Sequence, residues 1–252
     1  MKNLFKPTFN KIFFCALLVL IALSFVSAFS EDELLLNSTL PLFVPLLLIF
    51  FFVKNNYLKI SLISFVVLSF LGDLSSTFFK EYTLLNLSSM FYLLSYLQLI
   101  IIALTKFKIL KVDKLIGLYL LVVFSINLYF LYTIFDILKI LIPDANEVNM
   151  LGANGLTLMI LTFVSFGVYL NTQTKQSIFF LVGVICFVFS VIIGYVNHYY
   201  LYDWIFVMLT RGLYALGLYQ IFKYASLDTK TKREKVLRMK ESDNFSSEKV
   251  LV

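Results

Sequence analysis

The chain is poor in charge: only 14% of its 252 residues are Asp, Glu, Lys or Arg, where a soluble domain carries about a quarter. That shortage excludes an ordinary water-soluble fold. One histidine and two cysteines leave little to bind a metal. Cys15 and Cys186 sit in apolar runs without a CxxC or Cys/His neighbourhood, which argues against a disulfide or a metal site. They read as small apolar packing residues. The sequence also has no G-x-S-x-G elbow, no H-E-x-x-H helix, no glycine-rich phosphate loop and no acid-rich relay of the kind a proton pump uses. No cofactor is expected, and nothing in the composition points to nucleic acid.

What is present is apolar. Hydrophobic residues make up 60% of the chain and mean hydropathy is +0.91, with 28 Phe and 15 Tyr. Stretches of about 17 to 25 mostly apolar residues are long enough to cross a bilayer. Eight are found, running approximately Lys11 to Phe29, Leu34 to Val53, Leu58 to Phe79, Thr83 to Leu104, Leu115 to Phe135, Met150 to Leu170, Ile178 to His198 and Leu201 to Tyr224. The expected fold class is an all-α polytopic bundle of eight helices. Asn37, Pro41 and Pro45 interrupt the second stretch, which predicts a kinked or late-starting helix.

Charge placement orients this bundle. With eight spans, 18 of the 21 Lys and Arg fall on the side shared by both termini. Lys80 and Lys139 fall on the other side, with the acidic Glu31 to Glu33 stretch, and Arg211 lies within a span. The positive-inside rule then places both termini in the cytoplasm of a multi-pass protein of the cell inner membrane. A second reading of the first span is a signal peptide ending near Val26-Ser27-Ala28, whose cleavage leaves seven spans. Residues 1–225 form the transmembrane domain on the main reading. The remainder, 226–252, holds seven basic and five acidic residues and almost no aromatics. It reads as a disordered, modestly basic cytoplasmic tail that touches anionic lipid headgroups.

Two charges lie inside spans. Asp73 is the only charged residue between Leu62 and Phe79. A charge at that depth costs at least about 2.5 kcal/mol, so such residues face protein and are functional candidates by default. Helical spacing puts Ser69, Asp73, Ser76 and Thr77 on one face, and Ser88, Tyr92, Ser95 and Tyr96 on a face of the next helix. The short connection makes these two helices an antiparallel hairpin whose polar stripes meet. Asn127, Asn154, Thr157, Ser165, Ser190, Asn197, His198, Thr210, Arg211, Tyr214 and Gln220 extend the polar set over the later spans. Together they predict a shared polar cavity around Asp73. The competing reading is packing alone, since Ser, Thr and Asn in membrane helices commonly do no more than join helices. Asp73 and Arg211 have similar depths, which allows an ion pair that is structural or a pair that serves a substrate. His198, beside Tyr199 and Tyr200, reads as a headgroup-level residue or a chemical one.

Several segments resemble the YhhN-like family of membrane proteins, which includes the lysoplasmalogenases. The residues that carry the resemblance are Thr39-Leu-Pro-Leu42 with Pro45-Leu46, Ser69-Phe-Leu-Gly-Asp73, the Phe91 to Leu99 stretch, and Gly183 to Ser190 with the Tyr-rich segment after it. The resemblance implies eight helices, a lysophospholipid substrate among membrane lipids, and hydrolysis of its vinyl ether to a fatty aldehyde and a glycerophospho-headgroup. Asp73 would be the general acid, with Arg211 or His198 holding the phosphate. Such a step needs a carboxylic acid that holds its proton in apolar surroundings. The chain departs from the family pattern at Leu40, where a lysine is usual, at Ser95 and Tyr96, where a histidine is missing, and at Val191, where a second aspartate is expected. Losing one of two carboxylates removes a partner for dividing acid and base roles. A non-catalytic relative that binds lipid or serves as a membrane accessory is therefore the alternative. The oligomeric state is not legible.

Overall fold

A computed structural model describes residues 5–30, 38–54, 60–78, 82–106, 114–201 and 203–248. Among them there is no strand. Eight α-helices follow in order: α1 (Phe5–Phe29), α2 (Phe43–Lys54), α3 (Ile60–Phe78), α4 (Tyr82–Leu104), α5 (Lys114–Leu141), α6 (Ala145–Thr172), α7 (Lys175–Tyr199) and α8 (Trp204–Glu248). All but α2 contain a stretch long and apolar enough to cross a membrane. The protein is thus a multi-pass helical membrane protein.

The second stretch is interrupted near its prolines, with Ser38 and Thr39 already helical. Leu40–Leu42 form a 3-10 turn with Pro41 inside it, and α2 begins at Phe43. Pro45 falls in the first turn of α2, where a missing N–H costs no intrahelical bond. The apolar run Leu40–Phe50 is shorter than the other seven, and Leu34 to Asn37 lie outside the described residues.

One core joins α1, α2, α3, α4, α6, α7 and α8. Phe13, Phe43, Phe65, Leu99, Leu161, Val184, Phe187, Leu218 and Phe222 are all buried in it. One face of α1 belongs to it: Phe13 and Leu17 are buried in the cluster, so loss of this helix would open the core. By contrast, α5 contributes nothing to that cluster and packs on α6, where Phe135 and Leu131 lie over Gly152 and Gly155.

Helix ends follow local chemistry. Asp144 Oδ1 accepts from the Asn146 N–H at the start of α6. Gln173 closes α6 in the left-handed conformation (φ 45°), and Thr174 with Ser177 forms a capping box that starts α7 two residues later. The segment expected to be disordered departs from that expectation. α8 runs on from its apolar stretch to Glu248. From Ser226 to Glu248 the sequence has no glycine or proline, and twelve of its 23 residues are Lys, Arg, Glu, Leu or Met. Such residues extend a helix that is already nucleated, so no separate core is needed.

Candidate functional site

The motif Ser69-Phe-Leu-Gly-Asp73 on α3 has a task for each of its polar or small residues, and each task joins α3 to α4. Ser69 Oγ and Ser95 Oγ lie 2.7 Å apart in a buried hydrogen bond. Ser88 Oγ donates to the Gly72 carbonyl at 3.1 Å. Gly72 itself has no side chain because there is no room for one: a Cβ there would lie 2.9 Å from the Tyr92 ring. That close approach lets the Tyr92 hydroxyl donate to Asp73 Oδ1 at 2.7 Å.

A second tyrosine reaches the same carboxyl group from α8. Tyr214 Oη donates to Asp73 Oδ2 at 3.0 Å and to Oδ1 at 3.2 Å. Asp73 is 0% exposed. Two hydroxyl donors from two helices supply the hydrogen bonds a buried carboxyl group requires. Below it, the Asp73 carbonyl accepts from Ser76 Oγ and Thr77 Oγ1, which ties the last turns of α3 to their own backbone. The ring of Tyr96 stacks beside Tyr92, with centroids 6.5 Å apart, and meets Phe187, which also contacts Tyr214.

Arg211 is buried one helical turn before Tyr214, yet no ion pair within 4 Å joins it to Asp73 among the described residues. Its guanidinium donates to Thr39 Oγ1 at 2.5 Å and lies 3.5 Å from Ser24 Oγ, while Ser24 donates to Thr39 at 3.1 Å. It remains near enough for its charge to act on the Asp73 carboxyl group. The allowed ion pair is not formed; in its place stand two clusters, Asp73 with tyrosines from α4 and α8, and Arg211 with the hydroxyls of Ser24 on α1 and of Thr39 just before the 3-10 turn. Sequence reasoning missed Ser24 and Thr39 as partners of Arg211. The available signal was the polar residue of each in an otherwise apolar segment.

The remaining candidates separate. Tyr92, Tyr96 and Tyr214 gather around Asp73, and Ser69 braces its helix. Asn154 is buried, but its amide donates to the Ser89 carbonyl at 3.1 Å and joins α6 to α4. Ser190 donates to the Thr210 carbonyl at 2.8 Å and joins α7 to α8. Both behave as helix glue. His198 belongs to no cluster around Asp73. It is exposed in the last turn of α7, its ring edge-on to Tyr199 at 4.7 Å.

The expected open cavity around Asp73 is instead a closed hydrogen-bonded cluster. A cavity of about 120 Å³ lies at the opposite end of the bundle, lined by Lys106, Thr172, Gln176 and Tyr224 among others. No group of three or more His, Cys, Asp or Glu among the described residues is arranged to hold a metal ion. No protein-family model, no curated protein and no solved structure matches the chain.

Proposed function

We propose that this chain is a YhhN-like protein of the cell inner membrane, spanning it eight times with both termini in the cytoplasm, and that it cleaves the vinyl ether of a lysoplasmalogen or a related lysolipid at Asp73. The observation that carries this reading is the Asp73 carboxyl group, fully buried and hydrogen-bonded by the Tyr92 and Tyr214 hydroxyls. A carboxylic acid in such surroundings can protonate carbon. In the reaction the Asp73 proton goes to the vinyl carbon β to the ether oxygen, and water adds to the oxocarbenium carbon and returns a proton to the carboxylate. The resulting hemiacetal breaks to fatty aldehyde and the free glycerol hydroxyl. Substrate reaches the acid when Tyr214 leaves it, and the Arg211 charge lies on the same side to meet the headgroup phosphate. Purified protein in detergent with lysoplasmalogen should release aldehyde, and Asp73→Asn should lower the rate at least about 100-fold. A variant with full activity sinks the assignment.

A second reading is favoured by Val191, where the family's second carboxylate is absent, and by Arg211, whose guanidinium is engaged by Ser24 and Thr39. In that reading the protein is a catalytically degenerate relative that binds lipid. It predicts no aldehyde from any ether lipid and lipid retained through purification.

A further inference from the structure

α5 is the outlier of the bundle. Only 6% of its membrane-crossing stretch, Gly117–Leu141, is buried, against 28 to 50% in the other six. Its contacts are made chiefly with α6, and most of its residues from Leu118 to Leu141 are exposed. Asn127 lies on that bare surface, ten residues from Gly117, which is about 15 Å along the axis and therefore near the middle of a hydrocarbon core about 30 Å thick. Its Nδ2 donates to the Val123 carbonyl at 2.8 Å, one turn back. One N–H and the carbonyl oxygen of the amide are left over. Hydrocarbon offers neither a donor nor an acceptor to them.

The neighbours of Asn127 follow a pattern. Val123, Asn127, Phe130, Ile134, Ile137 and Leu141 recur at intervals of 4, 3, 4, 3 and 4 residues. This is the seam spacing of two helices packed side by side, and a single Asn in such a seam sets register and oligomeric state. The seam carries no charge, and it is exposed from Asn127 onward. Over 18 residues it extends about 27 Å, most of the depth of the bilayer core. The group that best matches one spare amide N–H and one spare amide oxygen at mid-depth is another amide in the same position.

We propose that α5 is the interface of a homodimer, with the occupant of its bare face being α5 of a second copy. The two helices run parallel about a two-fold axis along the membrane normal, and Asn127 bonds to the partner's Asn127 at the centre. Parallel copies bring equal depths together, so the seam needs no shift to align. Small crossing angles of this kind are common between membrane helices.

The test uses the full chain in lipid nanodiscs and in detergent dilution series, with Cys15→Ser and Cys186→Ser as background. Ile134→Cys on the seam should form a covalent dimer under mild oxidation, whereas Tyr132→Cys on the opposite side of α5 should not. Fluorescence energy transfer between labelled copies should report self-association of the unsubstituted chain. Asn127→Leu should weaken it about three- to twentyfold, and Asn127→Gln, which keeps the amide, should weaken it less. A monomer at every dilution, equal cross-linking from both cysteines, or unchanged association in Asn127→Leu overturns the proposal. Asn127 is exposed in the single chain, so its replacement does not disturb folding of the protomer.

Discussion

The α3–α4 hairpin and the α5–α6 pair are both antiparallel neighbours of similar hydropathy, and both lay a large side chain over a glycine of the facing helix: Tyr92 on Gly72 in one, Phe135 on Gly152 in the other. They differ in where their polar side chains send their hydrogen bonds. In the hairpin, Ser69, Ser88 and Tyr92 bond across to the other helix, while Ser75, Ser76 and Thr77 at the end of α3 bond back. On α5, Ser125, Asn127 and Thr133 each bond back to their own helix, to the carbonyls of Leu121, Val123 and Tyr129. The same residue types thus hold two helices together in one place and merely hide their own polarity in the other. Interhelical bonding commits a pair to one geometry, while back-bonding leaves a surface free to meet something else.

Substitutions can break this comparison. The largest effect is expected from Asp73→Leu, which leaves two buried tyrosine hydroxyls without an acceptor and so costs about 3–5 kcal/mol. Denaturation in mixed detergent measures it, and a loss below about 1 kcal/mol would mean that the hairpin is held by packing alone. Gly72→Ala comes next, at about 1–3 kcal/mol, because the Tyr92 ring must move from where the new methyl group sits. The shift also lengthens the Tyr92 to Asp73 bond, which tyrosine fluorescence or vibrational spectroscopy of the carboxyl group can follow. The smallest effect sharpens the contrast most: Ser69→Ala should cost about 0.6 kcal/mol, whereas Ser125→Ala and Thr133→Ala on α5 should stay within about 0.5 kcal/mol of zero in the monomer. Equal losses at all three positions would erase the distinction.

Much of the fold was legible because hydrophobic length alone defines membrane helices, and the seven long stretches lie where that length placed them. The α3–α4 contact was legible for a second reason. A short connection forces the helices together, and spacing of four and seven residues then brings Asp73 opposite Tyr92. Tyr214, on a helix far along the chain, was named as a candidate on polarity rather than on any argument for contact with Asp73. An ion pair between Arg211 and Asp73 was allowed by their similar depths, but depth alone does not say which neighbours a guanidinium meets, and here they include Ser24 and Thr39. Sequence patterns do not say which helices flank one another across long separations, so Ser24 and Thr39 went unseen as partners of Arg211. For the same reason Asn127 was grouped with the interior polar residues, although its helix lies at the margin. The helix from Ser226 onward was missed because low hydrophobicity was read as disorder, when continuation of an existing helix requires no apolar face.

The order of Asp73's two partners along the chain has a consequence for biogenesis. Tyr92 is 19 residues downstream of the aspartate and Tyr214 is 141. During synthesis α3 and α4 emerge as one helical hairpin, so the carboxyl group meets its first hydroxyl while both helices are entering the bilayer. Insertion of an isolated aspartate-bearing helix is opposed by about 2.5–3.5 kcal/mol at mid-membrane depth, and a donor travelling in the same hairpin lowers that barrier long before α8 is translated. Gly72, by admitting the Tyr92 ring, is then a determinant of translocation as well as of the finished contact.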